Sequence, residues 1–279
     1  MSLKNNMKAI VRPIVKKVDK TWLCIPCKHL LDFAIEVRYR MLGQAKIEEE
    51  DRENVKKNLT FIYKSFNRQH MAKRLYRSIQ AYYPGATIII ADDSAEPLDI
   101  PGAQIIHLPF NSGLSKGLIA ALDKVETEYV MRMDDDYLLT PHSNIHKQLS
   151  FLQSHREVDL SSIQVSVPPE KCAEEYTQIK MKKNLIIPAG TMIDDHIVVY
   201  KAANCFVART EKLRKVGYDP NIRMIDHHEF FYRAAGVLVS VLDPHSYVLH
   251  CHNRFDRDYL KYRMDTAGDS VYIRKKYMS

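Results

Sequence analysis

The chain has 279 residues, 46% of them hydrophobic and 27% charged, enough apolar material for one large core or two small ones. No apolar run reaches the roughly 18 residues a membrane-spanning helix needs, and the N-terminus lacks the apolar stretch and small-residue cleavage site of a secretory leader. These features exclude a helical membrane protein and lead us to expect a cytoplasmic one. The net charge of +7, from 41 Lys and Arg against 34 Asp and Glu, suits an anionic ligand or peripheral contact with an anionic membrane through the basic ends. Nucleic acid is not an expected partner. The five cysteines (Cys24, Cys27, Cys172, Cys205 and Cys251) are odd in number and read as free thiols. Cys24 and Cys27 have a metal-ligand spacing, but no second pair follows, so core cysteines are the simpler reading.

In chain order, residues 1–57 read as a helical N-terminal extension: apolar residues from Leu30 to Met41 recur at helical spacing, and a charged connector follows from Lys46 to Lys57. From residue 58 to 279 the pattern is that of one α/β domain. Leu59–Tyr63 is a buried strand, Gln69–Tyr82 a helix ended by Tyr83-Pro84-Gly85, and Thr87–Ala91 a second buried strand. Gln104–Leu108 is a third strand, Ser115–Val125 a helix and Tyr129–Met133 a fourth strand. This alternation predicts a mainly parallel sheet flanked by helices. The second half is less regular. Strands are predicted at Ser161–Val167, Leu185–Ala189, Ile197–Tyr200, Asn204–Ala208, Val237–Leu242 and Tyr247–His250. Helices are predicted at Glu211–Val216, Asp226–Ala235 and along Arg257–Lys276.

The sharpest chemical signal is Asp134-Asp135-Asp136 after a buried strand. Three adjacent carboxylates repel one another, and a divalent cation relieves that repulsion. Ligands in open α/β sheets bind beyond the carboxyl ends of the strands, where Mn²⁺ or Mg²⁺ can be held against a diphosphate. Strand alternation would point Asp134 and Asp136 together and Asp135 away. An acidic turn capping the next helix is the plain alternative. Asp92-Asp93 at the end of the second strand can accept hydrogen bonds from a base or ribose, or simply form an Asx-turn. Asn111-Ser112-Gly113-Leu114-Ser115-Lys116-Gly117 opens a helix and offers close backbone approach to an anion, or an ordinary turn and cap.

In this order, one per βα unit, these motifs resemble those of the family 2 glycosyltransferases and their GT-A relatives over roughly residues 58–255. Ile89-Ile90-Ala91-Asp92-Asp93-Ser94, Phe206-Val207-Ala208-Arg209-Thr210, Lys215–Pro220 and His227-His228-Glu229-Phe230-Phe231 are similar to the β-1,4-N-acetylgalactosaminyltransferase branch. The resemblance implies a GT-A, Rossmann-like fold and an inverting transfer of a hexose or N-acetylhexosamine from a UDP-sugar to an acceptor hydroxyl. A saccharide or a glycolipid would serve as acceptor. It implies that Ser65 and Asn67 line the nucleotide pocket, that Asp92 or Asp93 contacts uracil or ribose, and that Lys116 lies near the phosphates. Asp134 and Asp136 would hold the metal, with Asp135 counted among the donor-binding residues, and a late histidine, His250 or His252, would complete the metal shell. The family's base position, counted back from Arg233, is occupied by His227, with Glu229 and Asp226 as the other candidates. A sugar-nucleotide nucleotidyltransferase is the main alternative, although Lys64-Ser65-Phe66-Asn67-Arg68 lacks the glycines such enzymes carry after the first strand. A non-catalytic carbohydrate-binding module leaves the acidic triplet unexplained.

Overall fold

The structure is a computed structural model that describes residues 21–43, 45–167, 171–172, 184–251, 253, 255–263 and 265–278. The chain begins with two helices, α1 (Cys24–Met41) and α2 (Glu49–Asn58), and continues as β1 (Leu59–Ser65), α3 (Gln69–Tyr82), β2 (Thr87–Asp92), β3 (Gln104–His107), α4 (Leu114–Asp123) and β4 (Tyr129–Arg132). Next come β5 (Tyr137–Leu138), α5 (Ile145–Ser154), β6 (Leu160–Val167), β7 (Lys171–Cys172), β8 (Met192–Ile193) and β9 (His196–Val198). The last elements are β10 (Phe206–Arg209), α6 (Thr210–Val216), α7 (Asp226–Ala234), β11 (Ser240–His250), α8 (Arg257–Arg263) and α9 (Ala267–Met278).

The main sheet has the order β3-β2-β1-β4-β10-β6-β11-β9-β8. Along it only β10 and β9 run against the other described strands, giving the mixed α/β fold and mostly parallel sheet that the alternation predicts. Because β1 and β2 are buried on both faces, their residues divide between two cores with a period of two. Phe61, Tyr63, Ile88 and Ile90 join α3 and α5 on one side, where Ile47 and Val55 of the leading segment also pack. Ile62, Ile89 and Ala91 join α4, α6 and α7 on the other. Helix α1 lies apart from both, with Ile35 packed on Leu138, Leu249 and Cys251.

Four predicted elements differ. The charged stretch expected as a connector from Lys46 to Lys57 is mostly helix α2, whose Val55 packs into the main core. Leu185–Ala189 is not a strand, because Pro188 and Gly190 turn the chain into the β8–β9 hairpin, closed by the Thr191 amide donating to the Pro188 carbonyl at 3.2 Å. The two strands expected over 237–250 are one, β11, whose pairing with β6 shifts register between Asp243 and Tyr247. The C-terminal helix is broken into α8 and α9, with a turn in which the Asp265 amide donates to the Tyr262 carbonyl at 3.3 Å. No described helix is long and apolar enough to cross a membrane.

Candidate active site

The carboxyl ends of β1 and β4 open into a cleft of about 270 Å³. Its floor is the acidic triplet, one wall is the start of α7, and α8 closes it with Tyr259, Tyr262 and Arg263. The strand-alternation expectation fails at the triplet, because β4 ends at Arg132 and the chain turns through Asp135 and Asp136. All three carboxylates therefore face the cleft. Asp134 is ion-paired with Arg132 at 2.8 Å and accepts from the Tyr137 hydroxyl at 3.0 Å. Asp135 and Asp136 share the buried Arg68 guanidinium, which also stacks on the Tyr259 ring at 3.7 Å. Burial raises the Asp135 carboxyl pKa despite Arg68, whereas for Asp136 the same burial is outweighed by Arg68 and His250, which hold it down. Nε2 of His250 lies 3.4 Å from Asp136 Oδ2. Burial disfavours the His250 imidazolium, but Asp136 outweighs it and raises its pKa.

The nucleotide-side residues are rearranged relative to expectation. Asn67 does not line the cleft: at φ 50° it latches two loops together, its amide donating to Ser94 Oγ at 2.7 Å and its side-chain carbonyl accepting from the Ala95 amide at 3.0 Å. Ser65 is buried beneath the floor, its hydroxyl without a hydrogen-bond partner among the described residues. Asp92 is an Asx-type brace, accepting from Ser94 Oγ at 2.6 Å and from the Leu98 amide at 2.8 Å. Asp93 supports the cleft from behind: it pairs with Lys64 Nζ at 2.5 Å and accepts from the Gly113 amide at 3.0 Å, and both partners line the cavity. Lys116 points to solvent on α4, away from the cleft, because the buried face of that helix runs through Ser115, Gly117 and Leu118. The lysine in the site is Lys64. It has room because Gly117 approaches it, where an added Cβ would stand 2.5 Å from Lys64 Cγ. Beside it, Phe66, Phe110 and Tyr262 form an aromatic cluster with ring centroids 5.1 to 5.9 Å apart.

On the opposite wall α7 separates the three base candidates. Asp226 is buried, lines the cleft, and is reached by Arg132 at 3.7 Å, while its Oδ2 has no hydrogen-bond partner among the described residues. Burial pushes its carboxyl up to about 6 even though Arg132 pulls the other way. His227 also lines the cleft, but its Nε2 donates to the Ala202 carbonyl at 2.6 Å, and burial followed by the Lys201 charge holds its pKa well below the ordinary imidazole value. Glu229 faces away from the cleft, clamped by Arg233 at 2.7 Å, Lys276 at 2.8 Å and Tyr277 at 2.6 Å. Glu229 lies three residues, nearly a full turn, beyond Asp226, so the phase of α7 does not separate the two; the contacts with Arg233, Lys276 and Tyr277 turn Glu229 from the cleft. His252 lies outside the described residues.

Residues 60–217 match the glycosyl transferase family 2 profile, more than half of the chain. The chain belongs to glycosyl transferase family 2. Among curated relatives of this family 2 chain, beta-1,4 N-acetylgalactosaminyltransferase 2 of Mus musculus is 34% identical over 188 residues, 65% of this chain and 37% of that protein. Beta-1,4 N-acetylgalactosaminyltransferase 1 of Homo sapiens is 28% identical over 234 residues, 75% of this chain and 43% of that protein. The family 2 chain thus spans less than half the length of these two relatives. The fold is that of known GT-A glycosyltransferases. S. aureus TarS 1-349 in complex with UDP superimposes with a TM-score of 0.54 at 15% identity, covering 69% of this chain and 60% of that one. GalNAc-T7 with UDP, GalNAc and Mn2+ gives 0.53 at 12% identity, covering 69% and 43%.

Lys64, Arg68, Tyr259, Tyr262 and Arg263 line the cleft and escaped sequence reasoning, as did the fully buried Arg132 beside it. Arg132 did leave a signal. It is a cation in the otherwise apolar buried strand Tyr129-Val130-Met131-Arg132-Met133, which demands buried anionic partners. It finds them in Asp134 and Asp226, joining the acidic floor to the α7 wall.

Proposed function

We propose that the chain transfers a sugar, with inversion at the anomeric carbon, from a UDP-linked donor to a hydroxyl of a saccharide or glycolipid acceptor. The observation that carries this reading is Asp226: a buried carboxyl at the cleft wall, raised to about 6, with an oxygen lacking a hydrogen-bond partner among the described residues, across from the acidic triplet. A base near neutral pKa, poised beside the site of the departing diphosphate, is what direct displacement by a hydroxyl requires. The acceptor oxygen forms the new bond to the anomeric carbon as the bond to the diphosphate breaks, and the hydroxyl proton passes to the Asp226 carboxylate. This moves the base assignment from His227 to Asp226. The His227 bond to the Ala202 carbonyl instead supports a role in fixing the start of α7. Lys64 with Asp93 and the Phe66–Phe110–Tyr262 cluster favour a nucleoside at the β1–β2 end, and Arg263 suits the diphosphate.

The acidic floor fits a divalent cation. Adjacent ligands of a six-coordinate ion at ~2.1 Å lie about 3 Å apart, near the 3.4 Å between His250 Nε2 and Asp136 Oδ2. No three described His, Cys, Asp or Glu side chains converge on one point. Asp136 and His250 would therefore supply two ligands to Mn²⁺ or Mg²⁺, with Asp134 reaching it through water and the diphosphate completing the shell. Such an ion neutralises the leaving diphosphate. The two curated relatives described above are named as N-acetylgalactosaminyltransferases, which favours an N-acetylhexosamine donor and speaks against the nucleotidyltransferase and binding-module readings. The test is UDP release from a panel of UDP-hexoses and UDP-N-acetylhexosamines with Mn²⁺. One donor, of the N-acetylhexosamine class, should be turned over well above the others. Turnover of none, with the protein folded, would reject the proposal.

A further inference from the structure

Helix α1 is apolar on two sides. One side is covered: Ile35, Leu31 and Tyr39 pack against Leu138, Leu249 and Cys251. The other is bare. Trp22 just before the helix, then Ile25, Leu30, Phe33, Val37 and Met41, are exposed, with Trp22 at 77%, Leu30 at 67%, Phe33 at 66% and Met41 at 81%. Their spacing places them along one broad face of the helix. Single exposed apolar residues are ordinary, but a helix-long stripe with tryptophan at its end marks an interaction surface. Ahead of the stripe, the sequence of residues 1–20 carries six cations, Lys4, Lys8, Arg12, Lys16, Lys17 and Lys20, against one carboxylate, Asp19. An apolar helix face next to a polybasic segment is the two-part arrangement by which proteins hold to an anionic lipid surface. A partner protein would be met by an apolar stripe alone, and the adjoining basic run favours lipid over it.

Helix α1 is also tied to the wall of the cleft. Asn253 Nδ2 donates to the Lys28 carbonyl at 3.2 Å, Lys28 pairs with Asp256 at 3.1 Å, and Cys24 Sγ donates to the Phe255 carbonyl at 3.1 Å. These residues link His250 on the acidic floor to α8, which closes the cleft. A surface that seats α1 is therefore mechanically joined to the mouth of the site.

We propose that the exposed stripe of α1, with the basic residues that precede it, seats this chain on an anionic membrane surface and so sets the cleft beside that surface. The seating needs no particular donor or base and stands apart from the transfer reaction. The experiment is flotation of the full chain with phosphatidylcholine vesicles and with vesicles containing about one-third phosphatidylglycerol, at low and high salt, for wild type and for Leu30→Glu/Phe33→Glu. Both side chains are exposed, so the variant should fold, which circular dichroism and unchanged thermal unfolding would verify. Wild type should float with the anionic vesicles, more weakly at high salt, and the folded double variant should partition at least about tenfold less. Wild type that stays with the soluble fraction, or a double variant that floats equally well, would overturn the proposal. So would a concentration-dependent dimer in sedimentation that the double variant abolishes, since the stripe would then be covered by a second copy.

Discussion

Replacing Asp226 by Asn should make the protein more stable and nearly inactive. The carboxyl is buried and raised from 3.8 to about 6. Its folded form therefore holds a proton more tightly than the unfolded chain does, and folding stability falls as pH rises between those two values. A shift of about two units at 1.36 kcal/mol each amounts to ~3 kcal/mol of stability forfeited above pH 6 by keeping this carboxylate ionised in the folded state. Asparagine removes the ionisation and so recovers up to about 3 kcal/mol at pH 8 and essentially none at pH 3.5, below both pKa values. Urea denaturation of the two proteins at both pH values measures this difference. Sugar transfer should fall by about 10²–10⁴-fold, the worth of a general base, with UDP affinity retained. For wild type, kcat/KM should rise with pH through a limb near 6. A variant that transfers sugar normally, or is equally destabilised at both pH values, would refute the reasoning.

Arg132→Lys keeps the charge but shortens the reach to Asp134 and Asp226, so the kcat/KM limb should move to higher pH as the carboxyl loses its nearest cation. Asp93→Ala should weaken UDP binding about tenfold or more, because Lys64 and the Gly113 amide lose their shared anchor. Asp92→Ala, by contrast, should lower stability by about 1–3 kcal/mol and leave UDP affinity unchanged, since its partners are the Leu98 amide and Ser94. Calorimetry with denaturation separates the two aspartates. Glu229→Gln should retain transfer within about twofold and lose roughly 1–3 kcal/mol of stability, because Arg233, Lys276 and Tyr277 are its partners and the cleft is not.

The first half of the fold is legible because β1, β2 and β4 are short apolar runs separated by helices with a clear buried stripe, and such strands have one way to lie. The site is legible in outline for the same reason: chemistry at the carboxyl ends of parallel strands follows from the strands themselves. Which side chain enters the cleft is a finer matter. Alternation fails for Asp134, Asp135 and Asp136 because the strand stops two residues before the triplet begins. Lys116 gives way to Lys64 because the placement depends on how α4 rolls against β1, which Gly117 decides by close approach and no local pattern announces. Glu229 and Asp226 lie three residues apart on one helix, and only the packing of α9, through Lys276 and Tyr277, shows which of them is turned from the site. Tyr259, Tyr262 and Arg263 come from a polar, aromatic tail whose sequence carries no sign of folding back over the cleft.

The most direct test of the account is a calorimetric titration of UDP into the wild-type chain and into Asp134→Asn/Asp136→Asn, each with and without Mn²⁺. Wild type should bind UDP far more tightly with Mn²⁺ than without it, and the double variant should lose the metal-dependent part while remaining folded. Metal-independent binding of equal strength in both proteins, or no binding of UDP under any of these conditions, would contradict the assignment of the cleft as a nucleotide-sugar site built on the acidic floor.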